Sequence, residues 1–330
     1  MQEALYWEKA GEQVHCLLCP HDCTIPPRGS GRCQVRKNIC GKLWAVNYGE
    51  VSGLALDPIE KKPLYHFFPG SLILSAGSRG CNLDCGFCQN WASVRGEYPV
   101  QTLSPVELAD LAAATKSRGN IGIAFTYTEP LVWYEYVLAG AKEARRRGLK
   151  TVLVTNGYIR LEPWLQLLEH IDALNIDLKA FSNRFYRANC KGSLQPVKEA
   201  IAAAVGKCHV EVTTLLIQGE NTGAEEVESL STFLAGLNPQ IPLHLSRYYP
   251  ARQWQQPATP PELIEDLADI ARQKLDFVYT GNLPGSYSAG TYCPQCGQLL
   301  IQRGTVTKVF LSQRSCPRCK YQVPISAYEE

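Results

Sequence analysis

From about residue 70 onward the chain alternates short apolar runs with longer amphipathic ones. The short runs are SLILSA (71–76), IGIAFT (121–126), KTVLVT (150–155), DALNID (172–177), HVEVTTLLI (209–217), IPLHLS (241–246) and DFVYT (276–280). They are rich in β-branched residues and nearly continuous in apolarity, which predicts buried strands of a parallel sheet. Between them lie helical stretches such as SPVELADLAAATKSRG, PLVWYEYVLAGAKEARRRG and PPELIEDLADIARQK. In the first of these Ser104 suits the cap and Pro105 the first turn. Strand–helix repetition over roughly 210 residues predicts an α/β fold, either a doubly wound sheet or a barrel. Both place functional residues at the C-terminal ends of strands.

The ends of the chain read differently. Residues 1–45 are rich in Cys, Pro and Gly, centre on HCLLCPHDCTIPPRGSGRC and sustain no helical period. That predicts a small module folded around metal. A linker, 46–70, contains VSGLALDPIEKKPLYHFFPG and reads as irregular and proline-broken. The core then spans 71–288, and 289–330 form a second cysteine-bearing module.

Composition adds two constraints. With 33 basic and 31 acidic residues among 330, the net charge of +2 gives no electrostatic case for nucleic acid or a membrane surface. No run approaches the ~20 apolar residues of a membrane span, and MQEALYWEKAGEQVH lacks the apolar stretch of an export signal. A cytoplasmic protein is expected. In a reducing compartment its 14 cysteines point to metal or cluster binding rather than disulfides.

Their spacing sharpens that expectation. GCNLDCGFCQN (80–90) sets Cys81, Cys85 and Cys88 in a C-x3-C-x2-C loop directly after the first apolar run. A cubane needs thiolates that converge from a tightly wrapped loop, and Gly80 and Gly86 permit one. Three cysteines leave one iron open, whereas a closed structural site takes four ligands. The bland alternatives are a zinc site completed by His66 and three buried thiols. YCPQCG and SCPRCK give Cys293, Cys296, Cys316 and Cys319 the paired knuckles of a closed zinc ribbon. Cys16, Cys19, Cys23 and Cys33 offer another closed site, with His15, His21 and Cys40 as spare ligands. Zinc and an auxiliary iron–sulfur cluster both accept four thiolates, with zinc preferred. Cys190 and Cys208 read as packing residues, with a reactive role for Cys190 as the alternative.

C-x3-C-x2-C with an aromatic, Phe87, before the last cysteine resembles the radical S-adenosylmethionine (SAM) superfamily. The resemblance implies a partial (β/α)6 TIM-type barrel holding a [4Fe-4S] cluster. SAM chelates its open iron and is cleaved reductively to a 5′-deoxyadenosyl radical that abstracts a substrate hydrogen. It further implies SAM contacts from Phe87, from Glu129 of FTYTEP, from Asn156 of VTNG, from Asp177 and Lys179 of NIDLK, and from His244 of PLHLSRYYP. Tyr127 and Thr128 stand where the family pattern has glycines, and Val154 stands where activating enzymes carry an Asp before Thr-Asn-Gly.

Across nearly the whole chain, C-x2-C-P-H-x-C, DPIEKKPLYHFFPGS, TYTEP, VTNGYI, HLSRYYP and YTGN resemble the AmmeMemoRadiSam-system radical SAM enzymes, which are similar to pyruvate formate-lyase activating enzyme. That implies an oxidoreductase served by an electron donor such as flavodoxin or ferredoxin. Its candidate partners are a Memo-type or AMMECR-type protein or a glycyl radical enzyme. The rival from another class is a non-enzymatic zinc-ribbon module that holds protein or RNA, and near-neutral charge speaks against RNA.

Overall fold

The computed structural model describes residues 1–283 and 290–326. All seven apolar runs become strands of one eight-stranded sheet. In chain order these are β2 (Leu72–Gly77), β3 (Asn120–Phe125), β4 (Lys150–Thr155), β5 (Ala173–Asp177), β6 (His209–Leu216), β7 (Leu243–Arg247) and β8 (Val278–Gly281). They are mutually parallel, and each pairs with its neighbour in sequence.

That order decides between the two architectures. A doubly wound sheet reverses its strand order at a switch point. Here the order never reverses, so right-handed crossovers all return on one face and the sheet curls as a barrel. Among the described residues β8 pairs with β7 alone, so the barrel is partial. Six crossover helices join the strands: α1 (Pro105–Ala114), α2 (Tyr134–Arg146), α3 (Leu161–Leu168), α4 (Leu194–Ala204), α5 (Ala224–Leu237) and α6 (Pro261–Arg272). The expected six-fold repeat is present, and β8 adds a seventh parallel strand. Ser104 caps α1 in a reciprocal box, its Oγ accepting from Glu107 N at 3.2 Å while Ser104 N donates to Glu107 at 2.7 Å.

The segment read as irregular is a correction. It contains β1 (Gly53–Pro58), antiparallel to β2 from Gly53↔Gly77 to Pro58↔Leu72. Pro58 argues against a strand, but as the last residue of an edge strand it removes no interior ladder bond.

Residues before β1 form two small three-stranded antiparallel sheets. Their apolar residues Val14, Leu18, Ile25 and Leu43 belong to the same buried cluster as Phe125, Leu153 and Leu174 of the barrel. A buried ion pair ties the two together: Arg36 Nη1 donates to Glu135 of α2 at 3.0 Å, and Leu5 N donates to the same oxygen at 2.8 Å. At the other end, strands Thr291–Tyr292, Leu299–Gln302 and Lys308–Val309 form a small antiparallel sheet. Leu300, Ile301, Val323 and Ile325 from this module pack with Phe277 and Tyr279. No described helix is long and apolar enough to cross a membrane.

Candidate functional site

The three-cysteine loop leaves β2 and wraps the rim of the barrel. Gly80 takes φ +92°, and a Cβ there would stand 2.8 Å from Val35 Cγ1 and 2.9 Å from Cys33 O, so only glycine fits. Gly86 is equally confined, because a Cβ would meet Trp254 Nε1 at 2.5 Å. The loop hangs on a short π-helical turn, Tyr186–Cys190, whose carbonyls accept from Asp84 N (2.9 Å, at Cys190) and Gly86 N (3.1 Å, at Asn189). Arg252 fixes the other side, donating to Cys85 O at 2.8 Å. Cys190 is fully buried in the core, as a packing residue would be, and its thiol beside Cys85 pulls the Cys85 thiol down. Cys208 also packs against the core, partly buried beside Ala204 O.

The three thiols line a cavity of about 250 Å³ together with Phe87, Glu129, Asn156, Asp177 and Lys179. Five of the six residues expected to contact SAM therefore converge on the triad. Phe87 packs against Phe185 and Trp254, with ring centroids 5.7 and 5.2 Å away. Lys179 Nζ donates to Asp177 Oδ2 at 2.7 Å. Burial opposes the lysine charge, but Asp177 and the neighbouring thiols outweigh it and hold the ammonium protonated above its usual range. Asn156 donates to Asn82 Oδ1 at 2.9 Å and points the same amide at Cys81 Sγ, 3.6 Å away.

Glu129 closes the floor between β3 and β4. Its carboxylate accepts from Leu131 N at 3.0 Å, Thr155 Oγ1 at 2.6 Å and Asn156 N at 2.8 Å. Burial nevertheless pushes its carboxyl up to about 7. Tyr127 adopts the left-handed backbone of the glycine it replaces, at φ +68°. Its ring lies against Gly53 and Gly77, and its hydroxyl donates to Asp57 Oδ2 at 2.7 Å. The neighbouring Lys62 donates to the same oxygen at 2.8 Å.

His244 is the sixth expected contact, and it does not reach the cavity. It sits two residues before Ser246, which does line it, and its Nε2 donates to the buried Glu211 Oε2 at 2.6 Å. His66 is equally remote from the triad. Its Nε2 meets Tyr279 OH at 2.6 Å, so it completes no zinc site there. Sequence reasoning passed over Asn82, inside the CNLDC loop, which donates to Tyr158 O at 2.6 Å and links two strand ends. It also passed over Arg252 and Trp254, just beyond HLSRYYP. A polar or aromatic residue within or immediately after a ligand motif was the available signal.

Of the flanking cysteines, Cys293, Cys296, Cys316 and Cys319 have sulfurs all within 4.8 Å of one another. Pairs at 3.4 and 3.6 Å approximate the ~3.8 Å edge of a tetrahedron with ~2.3 Å metal–sulfur bonds. The donor set fits one tetrahedral ion. In the N-terminal module Cys19 lies within electrostatic reach of Cys16, Cys33 and Cys23, while the spare ligands go elsewhere. His15 bonds Glu8 at 3.2 Å, His21 bonds Asn82 O at 2.6 Å, and Cys40 is exposed. Burial pushes the Cys19 thiol up to about 12 and the Cys33 thiol up to about 11.

Residues 76–234 match the model of the Radical SAM superfamily. The uncharacterized protein MJ0808 of Methanocaldococcus jannaschii is 38% identical over 339 residues, covering 98% of this chain and 99% of its own. GTP 3′,8-cyclase of Mycobacterium marinum is 32% identical over 199 residues, covering 56% of this chain and 53% of its own. A radical SAM methyltransferase from Sphaerobacter thermophilus shares the fold at a TM-score of 0.50 and 19% identity, over 69% of this chain and 70% of that one. By sequence match and by the architecture of its cysteine loop, the chain belongs to the radical SAM superfamily.

Proposed function

We propose that the protein cleaves SAM reductively and abstracts a hydrogen atom from a substrate held in the cavity at the mouth of the barrel. The observation that carries this reading is the convergence of three thiols, Phe87, Asp177 and Lys179 on one cavity. A [4Fe-4S] cluster with one iron free of protein ligands supplies the open coordination position and the electron. The chain's own residues do the rest. Cys81, Cys85 and Cys88 hold the cluster, and Asn156 presents an N–H to one of its thiolates. Lys179 pairs with the SAM carboxylate and Asp177 aligns the lysine. The Glu129 carboxylate has three donors and room for a fourth, which the SAM amino group provides. Phe87, braced by Trp254, borders the adenine and excludes water. Reduced anaerobic protein should convert SAM to 5′-deoxyadenosine and methionine. Iron-loaded protein that forms neither would refute the reading.

Lys179→Met should weaken SAM binding by ~10- to 100-fold, since a hydrogen bond to a charged group contributes about 1.5–3 kcal/mol. Iron content should not change; equilibrium binding of SAM to the loaded protein checks both.

The activating-enzyme-like oxidoreductase is the finer form of this proposal. The Asp177-Leu178-Lys179 strand end favours a glycyl radical enzyme as the substrate-bearing partner, with Memo-type and AMMECR-type proteins as alternatives and flavodoxin or ferredoxin as electron source. The C-terminal four cysteines hold zinc in this reading. Chelation of that ion should destabilise the tail, whose sheet is too small to fold unaided, and metal analysis before and after dialysis against a chelator checks this.

A further inference from the structure

Among the described residues that line the reaction cavity, Tyr127 alone has a left-handed backbone, at φ +68°. Thr128 N donates to Thr126 O at 2.8 Å across it. A hydrogen bond between residues two apart, closed around a positive φ, makes a γ-turn of the rare and strained hand. Glycine takes such a turn freely, whereas a bulky side chain opposes it. A tyrosine persists there only where its surroundings over-determine the conformation. Here they do.

Gly53 of β1 and Gly77 of β2 stand opposite each other in the antiparallel register. Without side chains they leave a notch that the tyrosine ring fills. A Cβ on Gly53 would stand 3.0 Å from Tyr127 Cδ2, and one on Gly77 3.1 Å from the same atom. The hydroxyl donates to Asp57 Oδ2 at 2.7 Å, and Lys62 Nζ donates to that oxygen at 2.8 Å. The lysine side chain is only 4% exposed, and its ammonium lies 4.7 Å from the ring centroid. Toward the cluster loop, the Tyr127 carbonyl accepts from Asn90 Nδ2 at 2.8 Å. The turn therefore ties β1 to the segment that leaves Cys88.

Glu129 follows two residues later. Its carboxylate is held by the end of β4, but its own N–H meets Gly80 O only at 3.4 Å, a long bond. The backbone between β3 and Glu129 is thus set by the γ-turn. We propose that Tyr127 is a positioning residue for SAM, whose ring and hydroxyl hold that turn closed so that Glu129 faces the SAM amino group before the ligand arrives. A turn that is competent only part of the time weakens apparent affinity by that fraction. Gly53, Asp57 and Lys62 act through the tyrosine and touch no ligand. The inference rests on the proposed binding of SAM at Glu129.

The test measures equilibrium binding of SAM to iron-loaded full-length protein, with iron content and unfolding midpoint recorded for each variant. Tyr127→Ala loses the brace and keeps a side chain that disfavours the turn, so its Kd should rise ~5- to 30-fold. Tyr127→Gly loses the same brace yet takes either hand about equally, so it should recover to within ~2- to 3-fold of wild type. Iron content should match wild type in both. A glycine variant that binds SAM no better than the alanine one overturns the inference, because the ring would then act by direct contact. An alanine variant that binds as tightly as wild type overturns it too. Should the alanine variant not fold, Gly53→Val takes its place by crowding the ring out of its notch. It should weaken binding at least ~5-fold in the wild-type chain and add nothing in Tyr127→Gly, which has no ring to displace. Equal weakening in the two backgrounds, or none in wild type, refutes the brace. Iron-loaded wild type that binds no SAM at all is a separate result, which sinks the proposed function and this inference with it.

Discussion

Cys85→Ser is expected to abolish SAM cleavage while leaving the protein folded. A serine hydroxyl is a poor substitute for a soft thiolate on iron. The loss should exceed the ~10–100-fold typical of outer-shell partners, because a direct ligand is removed. The backbone around the site should hold, since its anchors do not involve the sulfur. Asp84 N and Gly86 N still donate to the π-helical turn, and Arg252 still reaches Cys85 O. Iron should fall by about four per chain, with the metal of the C-terminal tetrad untouched. Circular dichroism and the unfolding midpoint should match wild type. A variant that keeps its iron and cleaves SAM at the wild-type rate would remove Cys85 from the cluster.

Glu211→Gln is expected to carry the largest stability cost of any single replacement considered. The carboxylate is fully buried and takes four donors: His66 N at 2.7 Å and His209 Nε2 at 2.9 Å on Oε1, Tyr65 N at 3.0 Å and His244 Nε2 at 2.6 Å on Oε2. Glutamine would turn an NH2 toward two of them. Breaking such a buried, charge-assisted set costs about 3–5 kcal/mol, measurable by urea unfolding.

The same network sets the acid limit of the fold. Burial alone would raise the Glu211 carboxyl, but the hydrogen bonds from His209 and His244 win and hold it well below the usual carboxylate range. Its contribution is therefore present above the ordinary carboxylate pKa and is lost as pH falls through the native value. Burial lowers His66 from 6.5 to about 3, so the unfolded chain takes up that proton first and stability drains as pH falls from 6.5 toward 3. Wild-type unfolding free energy should decline steadily across that window. A flat profile would contradict the assignment.

How much of this could be read from the chain divides by the kind of force involved. β2 to β8 were legible because strands covered on both faces need continuous apolar residues, and nothing else in the chain looks like them. β1 was not, because it is an edge strand, largely half-buried, and it ends in Pro58. The cluster loop was legible from spacing, since ligands of one group must be local. His244 was misplaced for the opposite reason. Its partner Glu211 is 33 residues away, and only the parallel register of β6 and β7 brings the two together. The Cys85–Cys190 contact depends likewise on a π-helical turn that no local pattern announces.

The depth of that polar network has a consequence for how such a scaffold can diversify. Glu211 lies two residues upstream of Thr213 on β6, and Thr213 lines the cavity, so the clamp lies ~7 Å below the reacting rim. Changes at the rim and at the clamp then combine almost independently. Descendants of this chain could exchange the residues that select a substrate while inheriting, unaltered, the buried charge that ties β6 to β7.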